Sequence, residues 1–155
     1  MMKIKWKPLI ISLSISLGVW VLSGFLTMNN YSIYEKINKP PLSPPGWIFP
    51  IVWIILYFLM GISAYLIWTS NYKNKRPAMI AYGLQLIVNF FWPIIFFNFE
   101  LFLLSFFWIL LLIVLVVITI VLFKNINSFA SWLLVPYLLW IIFACYLNYG
   151  IAMYN

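Results

Sequence analysis

The chain alternates between long apolar runs and short polar joints. Apolar residues fill Pro8–Met28, Trp47–Thr69, Ala78–Phe97, Leu101–Phe123 and Phe129–Tyr154. Each run is about as long as the ~20 residues with which an α-helix crosses a bilayer. The joints hold most of the charge: residues 29–46 with Glu35, Lys36 and Lys39, then Ser70–Pro77 with Lys73, Lys75 and Arg76, the tight turn Asn98–Glu100, and Lys124–Ser128. Residues 101–123 are apolar on every face and lack the alternation of a membrane β-strand. The pattern predicts an all-α membrane protein, a single domain over residues 1–155 built as a five-transmembrane-helix bundle.

Composition agrees. The chain is 66% apolar and only 7% charged, whereas a soluble domain is near half apolar and about a quarter charged. The start, MMKIKWK, is basic. A charged start before an apolar run is also the layout of a secretory signal, but this run is too long for one, and the first segment is read as a retained helix. It carries two small-xxx-small pairs, Ser12 with Ser16 and Ser14 with Gly18, which suit either close helix contact or hydroxyls bonded to their own backbone.

Five crossings put the termini on opposite sides. Lys3, Lys5, Lys7, Lys73, Lys75, Arg76 and Lys124 then share the N-terminal side, while Lys36 and Lys39 on the other side are offset by Glu35 and Glu100. The positive-inside rule places the N-terminus in the cytoplasm and the C-terminus outside. The formal charge of +7 is thereby explained by topology and anionic lipid, with no nucleic-acid partner. The Ile, Asn and Lys usage leans towards a bacterial plasma membrane, with a mitochondrial outer membrane as the alternative.

The residue inventory excludes much chemistry. There is no histidine, one cysteine (Cys145), and only Glu35 and Glu100 as carboxylates. A Ser-His-Asp triad, paired-carboxylate hydrolysis, a disulfide framework and a thiolate metal cluster are all excluded, so no metal or cofactor is expected.

The stretch KPPLSPPGWIFPIVW, residues 39–53, stands out. Proline fixes φ, lacks an N–H and disfavours helix at the residue before it, so residues 39–46 form a stiff non-helical loop. Lys39, Pro40, Pro44, Pro45 and Trp47 read as a lid on the outer side. At about 1.5 Å per residue, Trp53 lies roughly 9 Å below Trp47. Trp92 lies at a comparable depth in the third helix, with Asn89 and Gln85 one and two turns below it. Asn148 lies as deep in the fifth helix, with Trp140 two turns deeper, and Tyr57 is one turn below Trp53. Helices two, three and five then bound an aromatic pocket suited to a large, flat, apolar ligand. The amides serve equally well as interhelical glue. Pro93 and Pro136, inside apolar runs, can each kink a helix and open room.

The segments KPPLSPPGWIFPIVWIILYFLMG, QLIVNFFWPIIFF and PYLLWIIFACYLNY resemble the tryptophan-rich sensory protein (TspO), or translocator protein, family, also called the peripheral benzodiazepine receptor. The likeness covers residues 39–149 in order. It implies a five-helix bundle, often a homodimer. It implies binding of tetrapyrroles such as protoporphyrin IX and of benzodiazepine-type drugs, with porphyrin as ligand or substrate rather than resident cofactor. It also implies light-dependent porphyrin breakdown dependent on pocket tryptophans, here Trp53 and Trp140. The ligand-binding positions that match are Trp53, Tyr57, Asn89, Trp92, Trp140 and Asn148. Two departures stand out. Leu42 replaces a tryptophan frequent in the family, and the basic residue of the sterol pattern near the last helix is missing, so sterol binding is not expected. Three functions compete: a membrane receptor or sensor for porphyrin, an enzyme degrading it under light, and a transporter of lipophiles. Absent intramembrane charges and inverted repeats argue against ion-coupled transport.

Overall fold

The structure is a computed structural model that describes residues 3–155. Its regular elements are α1 (Trp6–Thr27), α2 (Ile33–Lys36), α3 (Ile48–Trp68), α4 (Arg76–Pro93), α5 (Phe102–Lys124), α6 (Ser128–Leu133) and α7 (Val135–Tyr154). A π-helical turn, Ile94–Asn98, continues α4, and no strand occurs among the described residues. Among the described residues, five helical stretches are long and apolar enough to cross a membrane: Trp6–Asn30, Ile48–Trp68, Arg76–Asn98, Phe102–Lys124 and Ser128–Tyr154.

The helices sort their faces as lipid requires. Buried positions on α1 are hydroxyls, Ser12, Ser16, Ser23 and Thr27, while Ile15, Leu22, Phe25 and Leu26 point outward. Lipid exerts no hydrophobic drive between helices, so close packing and hydrogen bonds hold them. Ser12 Oγ donates to the Gly61 carbonyl at 2.7 Å. A Cβ on Gly61 would come within 2.6 Å of Ser16 Oγ and 3.1 Å of Leu13 Cα, so the glycine lets α1 and α3 touch. Of the two small-residue pairs in the sequence, Ser12 and Ser16 form this seam, and Ser14 and Gly18 lie off it.

Each internal proline has a structural consequence. Pro93 cannot bond back along α4, and the helix widens there into the π turn. Pro136 sits in the first turn of α7, just after the chain breaks at Leu134 and separates α6 from α7. That break shapes the bundle. α3 packs on α6 at one end, and α7 then diverges from α3 toward the other. The space left between them is roofed by residues 31–47.

The roof, the turn at 98–101 and the end of α7 share one end of the bundle. Asn98 Nδ2 donates to the Leu26 carbonyl at 3.0 Å, and Asn155 Nδ2 to the Asn38 carbonyl at 2.8 Å. At the opposite end the Lys5 amide donates to Tyr65 Oη at 3.0 Å. There Lys75 Nζ closes the end of α3 by donating to the carbonyls of Trp68 and, at 2.9 Å, Ser70. A cation bonding the last carbonyls of a helix is favourable on both hydrogen-bond and dipole grounds.

Candidate ligand-binding cavity

Four-residue spacing puts Phe49, Trp53 and Tyr57 along one face of α3. α4 contributes Asn89 and Trp92, and the π turn rotates Phe96 and Phe97 toward the same space. α7 supplies Ala144, Leu147, Asn148 and Ile151, and α1 supplies Trp20, Ser23 and Gly24. Together they enclose about 680 Å³, within the roughly 300–1,000 Å³ of small-molecule sites.

The walls are aromatic and internally braced. Trp92 stacks on Phe96 with centroids 5.3 Å apart, Phe96 meets Phe97 edge-on at 4.9 Å, and Trp53 tilts against Tyr57 at 5.8 Å. Asn148 fixes the far wall. Its Oδ1 accepts from Trp92 Nε1 at 2.9 Å, and its Nδ2 donates to the Phe102 carbonyl and to Ser105 Oγ, each at 2.9 Å. One amide thus ties α7 to α4 and α5. Deeper, Asn89 Nδ2 donates to Tyr137 Oη at 2.8 Å, and Tyr137 donates on to Gln85 Oε1 at 2.8 Å. Gln85 bonds between helices away from the cavity, Asn148 both bonds and lines it, and Asn89 does both with a remainder.

That remainder is specific. Among the described residues, Asn89 Oδ1 and Tyr57 Oη have no hydrogen-bond partner, although both residues are almost fully buried and line the cavity. Neither atom is sealed in protein: among the described residues, the one fully enclosed side-chain nitrogen or oxygen without a partner is Trp140 Nε1. The cavity therefore offers an acceptor and a hydroxyl at its floor. Unmet polar groups in a low-dielectric space are costly and favour a ligand that meets them.

The roof holds a fixed shape. Tyr34 Oη donates to the Pro44 carbonyl at 2.7 Å and Ser43 Oγ to the Pro40 carbonyl at 2.7 Å. Burial raises the Tyr34 phenol above its ordinary pKa, so it remains a donor at neutral pH. Lys39 Nζ donates to the Tyr34 carbonyl at 2.6 Å and lies 4.8 Å from the centre of its ring. Leu42 takes a left-handed φ of 67° at the tip. The roof is also fastened to α7. Tyr146 Oη donates to the Pro41 carbonyl at 2.8 Å, and Pro40 lies directly on Gly150.

Of the residues expected from sequence, Trp47, Trp53, Tyr57, Asn89, Trp92 and Asn148 line the cavity. Lys39, Pro40, Pro44 and Pro45 build the roof without lining it. Trp140, expected on the wall, stands off it. Phe49 occupies the wall and packs edge-on against Trp140 at 5.8 Å. Lys39 Nζ is engaged by the Tyr34 carbonyl. Phe49, Phe96, Phe97 and Glu35 also line the cavity and are not among the residues expected from sequence. The four-residue step Phe49–Trp53–Tyr57 was a usable signal for the first of these.

The cavity has a definite mouth. Its exposed lining residues are Val21, Phe25 and Met28 near the end of α1, Tyr31, Ser32 and Glu35 after it, and Trp47 and Pro50 where α3 begins. It opens sideways between α1 and the start of α3, opposite the roof's attachment to α7.

Fold and cavity together define an integral membrane protein with an aromatic, mostly apolar chamber of small-molecule size. The chain belongs to the TspO/MBR family, whose profile matches residues 10–154. It is 36% identical over 148 residues to the tryptophan-rich protein TspO of Archaeoglobus fulgidus, covering 95% of this chain and 96% of that one. It is 35% identical over 153 residues to the protein of the same name from Chlorobaculum tepidum, covering 94% and 97%. The translocator protein of Homo sapiens is 34% identical over 152 residues, covering 93% and 88%.

Proposed function

We propose that the cavity is a receptor site for lipophilic ligands, with flat, protoporphyrin IX-like tetrapyrroles as the leading class and smaller benzodiazepine-type compounds as a second. One observation carries the proposal: an aromatic-walled chamber of about 680 Å³ whose floor presents the unpartnered Asn89 Oδ1 and Tyr57 Oη. Trp53, Trp92, Phe96 and Phe49 supply faces and edges for a conjugated ring. Asn89 and Tyr57 orient its polar atoms. The porphyrin is a ligand or substrate here, and no resident cofactor is invoked.

Light-dependent breakdown of a bound porphyrin belongs to the same proposal. Trp53 lines the cavity, and an indole is readily oxidised by an excited macrocycle. Trp140 lies behind Phe49, one ring further away. The transporter reading has one observation in its favour, the sideways mouth, which lets a lipophile pass between chamber and bilayer. The distribution of basic residues supports an N-terminus in the cytoplasm, with the roof outside. The family likeness supports a homodimer.

The test is titration of purified protein with protoporphyrin IX, in the dark and under illumination. Saturable quenching of tryptophan emission in the dark is expected, followed in light by loss of porphyrin absorbance and a new product. Dark titrations without saturation would overturn the receptor reading. Product formed at the wild-type rate by both Trp53→Phe and Trp140→Phe would overturn the enzymatic one.

A further inference from the structure

The cavity wall contains one charged side chain, Glu35. It sits at the mouth, exposed, on the four-residue helix α2. Gly46 lets it reach the start of α3: a Cβ there would lie 3.1 Å from Glu35 Oε1. Among the described residues the carboxylate has no hydrogen bond or ion pair. Lys39 Nζ is held by the Tyr34 carbonyl and ring, and neither Lys36 nor Lys39 lines the cavity. The rest of the mouth is uncharged: Val21, Phe25, Met28, Trp47 and Pro50 are apolar, and Tyr31 and Ser32 add hydroxyls.

We infer that Glu35 is a specificity residue, making the site prefer flat lipophiles that present a cationic group at the mouth over those that present carboxylates. The inference rests on the receptor reading above and names the ligand class within it. A ligand seated against the aromatic walls places whatever projects from its edge at the opening between α1 and α3. A carboxylate there meets a Glu35 that has no ion-pair partner among the described residues, and an ammonium meets a free partner. The position is open to water, so the effect is moderate. Exposed charge pairs change affinity by up to about fivefold and weaken as salt shortens the screening length.

Three probes on one macrocycle test this: protoporphyrin IX, its dimethyl ester, and its diamide with two ethylenediamine arms. Each is titrated in the dark against wild-type protein, Glu35→Gln and Glu35→Lys, at low and high salt. We expect wild type to bind the diamine more tightly than the dicarboxylate. Glu35→Gln should shrink that preference by up to about fivefold, and Glu35→Lys should reverse it. The dimethyl ester should bind all three proteins alike. An ester that binds while the preference stays the same in all three proteins would overturn the role of Glu35 and leave the receptor reading standing. An ester that shows no saturable binding would overturn the receptor reading itself.

Discussion

Pro40 lies so close to Gly150 that a Cβ on the glycine would fall 2.5 Å from the proline's Cβ and Cγ. A roof residue and a residue in the last turns of α7 are thus in direct contact through the one residue type with no side chain. Gly150→Ala should lift the roof, because the proline ring cannot rotate out of the way. Overpacking of this kind costs about 1–3 kcal/mol. We expect a lower melting temperature and faster proteolysis within residues 38–47, with the helix content unchanged.

Asn148 gives a second prediction. Leucine at this position would leave Trp92 Nε1 without its acceptor and take one of two side-chain donors from the Phe102 carbonyl, which Ser105 Oγ also meets. An unmet buried partner costs about 1–3 kcal/mol. Asn148→Leu should lower thermal stability in detergent by that amount and also weaken porphyrin binding, because Trp92 is freed from its position on the wall.

Gly61 marks the α1–α3 seam. Gly61→Leu would drive a side chain into Ser16 and Leu13 and break the approach that allows Ser12 to reach the Gly61 carbonyl. We expect a destabilisation of at least about 1–3 kcal/mol, measured by thermal unfolding. Gly18→Leu should be tolerated, since nothing lies within 4 Å of that position.

The two candidate photochemical tryptophans should differ. Trp53 borders the cavity directly, whereas Phe49 intervenes before Trp140. Under illumination, Trp53→Phe should slow porphyrin loss more than Trp140→Phe does, read from the decay of porphyrin absorbance at matched occupancy.

How far the sequence foretold this arrangement depends on the kind of signal. Helix positions were legible because lipid demands runs of apolar residues of one length, and the expected spans end within two residues of those observed. The roof was legible because its prolines leave few backbone options. Trp53, Asn89 and Asn148 were legible as polar or amphipathic groups in apolar surroundings. Trp140 was misplaced because helical depth says nothing of what stands in front of a side chain. Phe96 and Phe97 depend on the π turn after Pro93, and a proline signals a disturbance without fixing its form. The side-on mouth depends on how α1 and the start of α3 stand apart, which no local sequence pattern states. Glu35 reads in sequence as one charge among several in a loop, and only the fold separates it from Lys39.

The central claim is that the chamber itself is the receptor site, and filling it is the most direct test. Ala144 is buried and lines the cavity. Ala144→Trp would place an indole in the space a ligand would occupy, away from the roof contacts and from Glu35. The measurement is a dark titration with protoporphyrin IX dimethyl ester, followed by the shift of its main absorption band. We predict saturable binding to wild type and its loss in Ala144→Trp, with the variant melting at or above the wild-type temperature. A well-folded variant that binds the ester as wild type does would contradict the account.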